Sequence, residues 1–108
     1  MQNKELKGCI IAIRELRMPQ RWKDEYLLED LSDECKTLAI KVLKHVYQKF
    51  GKLPNVIDAS VESAVYFSYK SLNGFSFVVE VDNDLNVGYL LNDDLNKRII
   101  LSGDFDGR

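Results

Sequence analysis

The stretch DECKTLAIKVLKHVYQKF, residues 33–50, decides the fold. Its apolar side chains Cys35, Leu38, Ala39, Val42, Leu43, Val46, Tyr47 and Phe50 recur three and four residues apart, the spacing that lines one face of an α-helix. Ser32 stands where an N-cap hydroxyl accepts an unpaired amide of the first turn. Asp33 and Glu34 put negative charge at the positive end of the helix dipole. Gly51 supplies the stop, and Pro54 forbids resumption. The opposite face carries Lys41, Lys44, His45, Gln48 and Lys52, flanked by Lys36 and Lys49. By default this is a solvated face, its lysines favoured near the C-terminal end. The sharper reading is a docking stripe for an acidic partner or a phosphate backbone. No arginine sits on it, which disfavours nucleic acid, because bidentate phosphate contact prefers a guanidinium.

Downstream the period changes from helical to alternating. Residues 55–59 predict a short strand. Val65, Phe67 and Tyr69 alternate with Tyr66, Ser68 and Lys70, and Phe75, Phe77, Val79 and Val81 alternate with Ser76, Val78, Glu80 and Asp82, both strand patterns. Between them stands Asn73-Gly74, a strong hairpin signal. After a turn at 82–86, Val87, Tyr89 and Leu91 alternate again. A turn at 92–97 and a last strand at 98–102 come next, and residues 103–108 are expected to fray. Tight turns between successive strands predict an antiparallel meander of four or five strands. Val65, Phe67, Tyr69, Phe75, Phe77, Val79, Val81, Tyr89 and Leu91 would meet the helix stripe. The other face, with Tyr66, Ser68, Val78, Glu80 and Leu90, would be mixed, open to partial cover by an N-terminal helix or a second subunit. The expected class is α+β in two layers, the meander packed against one long helix.

Upstream, Leu6, Cys9, Ile10, Ile13 and Leu16 predict an additional N-terminal helix over residues 3–17, against a strand reading of the isoleucine-rich run 9–13. Pro19 ends either. Residues 18–32 read as a connector, with Tyr26, Leu27 and Leu31 forming a turn on the main helix. Trp22 either plugs a core edge or stands out as an interaction anchor.

The chain has 108 residues, one domain with one core: helix and connector in 1–32, main helix in 33–51, sheet in 55–102. The net charge of −2 is unevenly spread, at 0 over residues 1–32, +3 over 33–52 and −5 over 53–108. A basic helix beside an acidic sheet suits a directional surface or a dimer pairing unlike faces. No apolar run reaches the ~20 residues of a membrane span, and the polar start lacks a signal-peptide core. Cys9 and Cys35 fall on apolar stripes, as buried free thiols in a reducing cytoplasm would.

Complete chemical signatures are lacking. Asp82, Asp84 and Asn86, with Asp93 at the twelfth position, sketch a calcium loop. However, Val87 occupies the glycine position, the terminal glutamate is missing, and strands flank the segment. Turn chemistry accounts for these residues without a metal. His45, the sole histidine, has lysines for neighbours, and Cys35 lies on a core stripe, so neither reads as a catalytic group.

The segments Ile13-Arg-Glu-Leu16, Trp22-Lys-Asp24, Leu53-Pro54, Ala64–Tyr69, Phe77–Val81 and Val87-Gly-Tyr89 together resemble a group of small uncharacterised bacterial proteins. Those carry a Trp-Asp-Gly-Tyr-like segment, a helix ending near Leu-Pro and a β-meander. Here Trp22-Lys-Asp-Glu replaces the motif, and Tyr69 stands where a tryptophan is usual. The resemblance implies a fold and a bacterial source, and no catalytic residue; no cofactor is expected. The expected function is a non-enzymatic module acting on a protein partner or on itself. Lys41, Lys44, His45, Gln48, Lys52 and Trp22 are the candidate contacts. The alternatives are an antitoxin-like, nucleic-acid-associated regulator using the basic face, and a small-molecule binder with a pocket between helix and sheet lined by Tyr47, Tyr66, Tyr69 or Tyr89.

Overall fold

The computed structural model describes residues 4–70, 74–96 and 98–105. Three helices, α1 (Lys4–Glu15), α2 (Gln20–Tyr26) and α3 (Asp33–Phe50), precede five strands, β1 (Val56–Ser60), β2 (Ala64–Lys70), β3 (Phe75–Asp82), β4 (Val87–Asp93) and β5 (Arg98–Phe105). The strands lie in chain order, each antiparallel to the next. This is an α+β chain with an antiparallel sheet, as the periodicity predicts. Of the expected Asn73-Gly74 hairpin, Asn73 lies outside the described residues. Gly74 has a φ of +83°, a conformation that glycine adopts without strain. The expected fraying begins too early, because β5 continues to Phe105, its backbone paired with Val87 of β4; residues 106–108 lie outside the described residues.

The main helix begins and ends where its sequence signals place it. The Cys35 amide donates to Ser32 Oγ at 3.1 Å. Gly51, at φ +65°, donates its amide to the Tyr47 carbonyl at 2.8 Å. The roll of α3 about its own axis differs from the predicted one. The buried residues are Cys35, Lys36, Ala39, Ile40 and Leu43. Leu38, Val42, Val46 and Tyr47 are half-buried, and Phe50 is 71% exposed. The cause is α1, which packs beside α3 and draws Ile40 and Lys36 inward. Lys36, expected at the border of a solvated face, is only 4% exposed, and its Nζ donates to the Arg14 carbonyl at 3.2 Å near the C-terminal end of α1. Burial, with the charge of Arg17 adding to it, holds this ammonium below the ordinary lysine range.

Cross-strand register puts Ile57, Phe67, Val79 and Tyr89 in one row and Ala59, Val65, Val81 and Val87 in the next. Residues of both rows join Ile13, Cys35, Ala39, Ile40 and Leu43 in one core. Side chains on a strand alternate between faces, so α1 and α3 lie on the same side of the sheet. This corrects the expectation that the N-terminal helix helps cover the second face. Phe75 is also displaced from the expected core, at the sheet end opposite Asp93 and exposed.

The connector contains a helix that its sequence did not announce, α2, with Trp22 half-buried against the core. The short turn expected at Tyr26, Leu27 and Leu31 does not form there: Leu27 is the left-handed cap of α2 and Leu31 is buried. Asp30 ties the two ends of the connector together. Its Oδ1 accepts the Met18 and Leu31 amides at 2.9 and 2.8 Å, and Lys23 Nζ lies 3.4 Å from Oδ2. The Met18 hydrogen bond is the largest cause holding this carboxyl below the usual range.

Two substitutions test the roll of α3. Leu43→Ala should lower the unfolding free energy in urea by about 3 kcal/mol, whereas Phe50→Ala should change it by roughly 0.5 kcal/mol or less. Similar losses at both sites would place the helix in the wrong rotation. The buried Tyr69 hydroxyl has no hydrogen-bond partner among the described residues. Tyr69→Phe is therefore expected to leave stability unchanged or raise it by up to about 1 kcal/mol in the same assay.

Candidate functional site: a groove beside the main helix

Rotating the 35/39/43 arc into the core turns a second apolar arc of α3 sideways. Leu38, Val42 and Val46 face the edge of the packed layer, and Phe50 extends that edge. Beneath them α3 packs on β2 and β3, while α1 packs on β1 and on α3. No described helix packs extensively over β4 or β5. The result is a groove of about 630 Å³ between the flank of α3 and the β3–β4 part of the sheet. Phe77, Val79, Val87 and Tyr89 form its floor, and Leu38, Val42, Val46 and Phe50 its apolar wall. Lys41, Lys44, His45, Gln48 and Lys49 form the lip. Among the described residues no Asp or Glu lines it.

The floor is stiffened by aromatic contacts. Phe67, Tyr69, Phe77 and Tyr89 succeed one another with ring centroids 5.9, 6.1 and 6.1 Å apart, within the range of favourable ring pairs. Phe67 is fully buried, so the chain of rings runs from the core out to the groove. At its outer end, a Cβ on Gly103 would meet Tyr89 Oη at 2.9 Å. The bare glycine backbone of β5 is what lets the Tyr89 ring lie there.

Four of the six residues read from sequence as partner contacts therefore meet at one place: Lys41, Lys44, His45 and Gln48. Lys52 is exposed beyond the end of α3 and Trp22 packs against the core; neither reaches the groove. Of the four tyrosines considered for a pocket, only Tyr89 lines it. Sequence reasoning missed the wall. Leu38, Val42 and Val46 looked like core because their period is helical, and only the off-stripe Ile40 hinted that the helix had a second neighbour to satisfy.

The remaining candidates have structural duties. Asp82 Oδ1 accepts the Asp84 and Asn86 amides at 3.0 and 2.9 Å, and Asn86 Nδ2 is 3.5 Å from Oδ2. That carboxylate closes its own turn. Within the same turn, Asn83 Oδ1 accepts the Ser32 amide at 3.0 Å and its Nδ2 donates to the Asp30 carbonyl at 2.9 Å, fixing the start of α3 to the β3–β4 turn. Among the described residues, no three His, Cys, Asp or Glu side chains converge as metal ligands. Cys35 is buried and donates Sγ to the Val81 carbonyl at 3.0 Å. Burial pushes up both thiols, Cys35 and the half-buried Cys9, and a raised thiol is a poor nucleophile at neutral pH. No described helix is long and apolar enough to cross a membrane.

Comparison with known proteins adds no relative: no family model matches the chain, and neither curated proteins nor solved structures give a match.

Removing the Asn83 staple should be costly. Asn83→Ala is expected to lower stability by about 1–3 kcal/mol in chemical denaturation. Millimolar calcium should leave the melting temperature of the unaltered chain in place, and a calcium-dependent rise would return Asp82, Asp84 and Asn86 to the role of ligands.

Proposed function

We propose that the chain is a non-enzymatic interaction module that holds a protein partner in the groove beside α3. The observation that carries this reading is the pairing of an apolar floor and wall with a lip whose charged groups are cationic. An interface core is apolar and its rim polar, and the groove has both parts in that order. Phe50 adds weight, as a large aromatic side chain left 71% exposed at the groove's end where partner burial would stabilise it. What supports the non-enzymatic part is the character of the lining. Apart from His45 the described lining offers lysines, a glutamine, one phenol and hydrocarbon, and it contains no carboxylate, cysteine, serine or threonine to act as acid, base or nucleophile. The two free cysteines suit the reducing cytoplasm in which we place the module.

Photo-cross-linking tests the reading. A photoreactive phenylalanine replacing Val42, in the groove, should give protein-sized adducts in cells of the source organism. The same group replacing Leu27, 89% exposed at the end of α2, should give none. No adduct from position 42, or equal adducts from both positions, overturns it.

A further inference from the structure

We infer that the occupant of the groove is an acidic amphipathic α-helix of the partner, lying alongside α3 on the β3–β4 floor of the groove. The inference rests on the groove being a protein site, and it adds the shape and charge of what binds. Width comes first. Neighbouring strands are about 4.8 Å apart, so two further strands beyond those under α3 offer roughly 10 Å of sheet. Packed helices lie about 8–10 Å axis to axis. One helix fits in that space, and the chain already shows the arrangement on its other flank, where α1 packs beside α3 over β1. Length is also suitable. From Leu38 to Phe50 the wall rises about 18 Å, room for three turns of a neighbouring helix.

Charge decides which helix. Lys41, Lys44 and Lys49 stand along the lip, and among the described residues no carboxylate lines the groove. A helix with leucine-like side chains at i, i+3, i+4 and i+7 would set them on the half-buried Phe77 and Tyr89 and on the α3 wall, and glutamates flanking that stripe would meet the lysines. A basic helix would meet three like charges, a mismatch that selects partners. The spacing of the lysines, three and then five residues apart on α3, distributes the charge along the groove rather than at one end. That pattern suits a rod with acidic flanks better than a small carboxylate with a single charged head.

Three synthetic peptides of about 15 residues, enough for four turns, test this against the full chain by fluorescence anisotropy. One carries the leucine stripe with flanking glutamates, the second the same stripe with lysines, and the third the glutamate version broken by a central proline. The acidic peptide should bind, and the lysine and proline peptides should bind at least about tenfold more weakly. Raising salt should weaken the acidic peptide. Amide shifts on binding should map to Leu38, Val42, Phe77 and Tyr89. The triple charge reversal Lys41→Glu, Lys44→Glu, Lys49→Glu, all at exposed or half-buried positions, should exchange the preference between the two charged peptides.

Equal binding of the acidic and basic peptides overturns the inference. So do indifference to the proline, shifts confined to Val78 and Leu90 on the other sheet face, and groove shifts with a long-chain carboxylate but with none of the peptides. Protein adducts from position 42 with no peptide binding would remove the helix and leave the groove as a protein site. Absence of both would remove the two readings together.

Discussion

The seating of α3 on β2 and β3 is the contact on which the rest of the molecule depends. Cys35, Ala39 and Leu43 are fully buried against the Val65, Phe67, Val79 and Val81 side of the sheet. Burying a leucine- or phenylalanine-sized side chain contributes about 1.5–3 kcal/mol, and no other helix in the chain has as many buried positions among the described residues. The small side chains at 35 and 39 let the helix come close to the strands. Once this contact forms, the start of α3 is held by Ser32 and Asn83, and the five strands have a fixed side on which their apolar rows must point.

That contact also creates a mismatch of widths. A five-stranded sheet measures about 19 Å across, and one helix covers about 10 Å of it. On the β1 side α1 makes up the difference. On the β4 side no described helix does, so Phe77 and Tyr89 are left half-buried at the margin of the core with Val42 and Val46 beside them. The lysines of α3 occupy the same margin. Long side chains with charged heads can lie along an apolar edge while keeping their charge in water, which tolerates the gap in the isolated chain without closing it. Three of the five lysines in residues 33–52, Lys41, Lys44 and Lys49, therefore stand on one rim.

Much of this was legible in residue order. Helix limits come from local chemistry, Ser32 as cap and Gly51 as stop, and each acts within one turn. Strand positions come from alternation, which depends only on which face is apolar. The roll of α3 was not legible, because it depends on a neighbour 22 residues away in sequence. Lys36 looked like a surface lysine, and its burial is stabilised by one carbonyl, that of Arg14, which no local pattern announces. Helix α2 was missed for a related reason: its seven residues carry two large aromatic side chains, Trp22 and the exposed Tyr26, and no periodic stripe to detect. The groove was half legible. Its lip is a row of charges on a helix face, visible at once, whereas its wall was hidden among residues that have the same period as a core.

The roll of α3 then links the far side of the molecule to the groove. If α1 did not hold Lys36 and Ile40, the most favourable rotation of α3 would centre the predicted stripe, with Leu38, Val42 and Val46, on the sheet. The wall would turn down onto the floor and the lysines would point away from it. Placing an ammonium in an apolar interface is costly without a partner, and the Arg14 carbonyl offsets that cost only while the end of α1 stays in place. The buried lysine therefore ties two positions together, the end of α1 and the rotation of α3. Through that rotation, a contact remote from the groove determines whether its apolar wall and cationic lip face the same space.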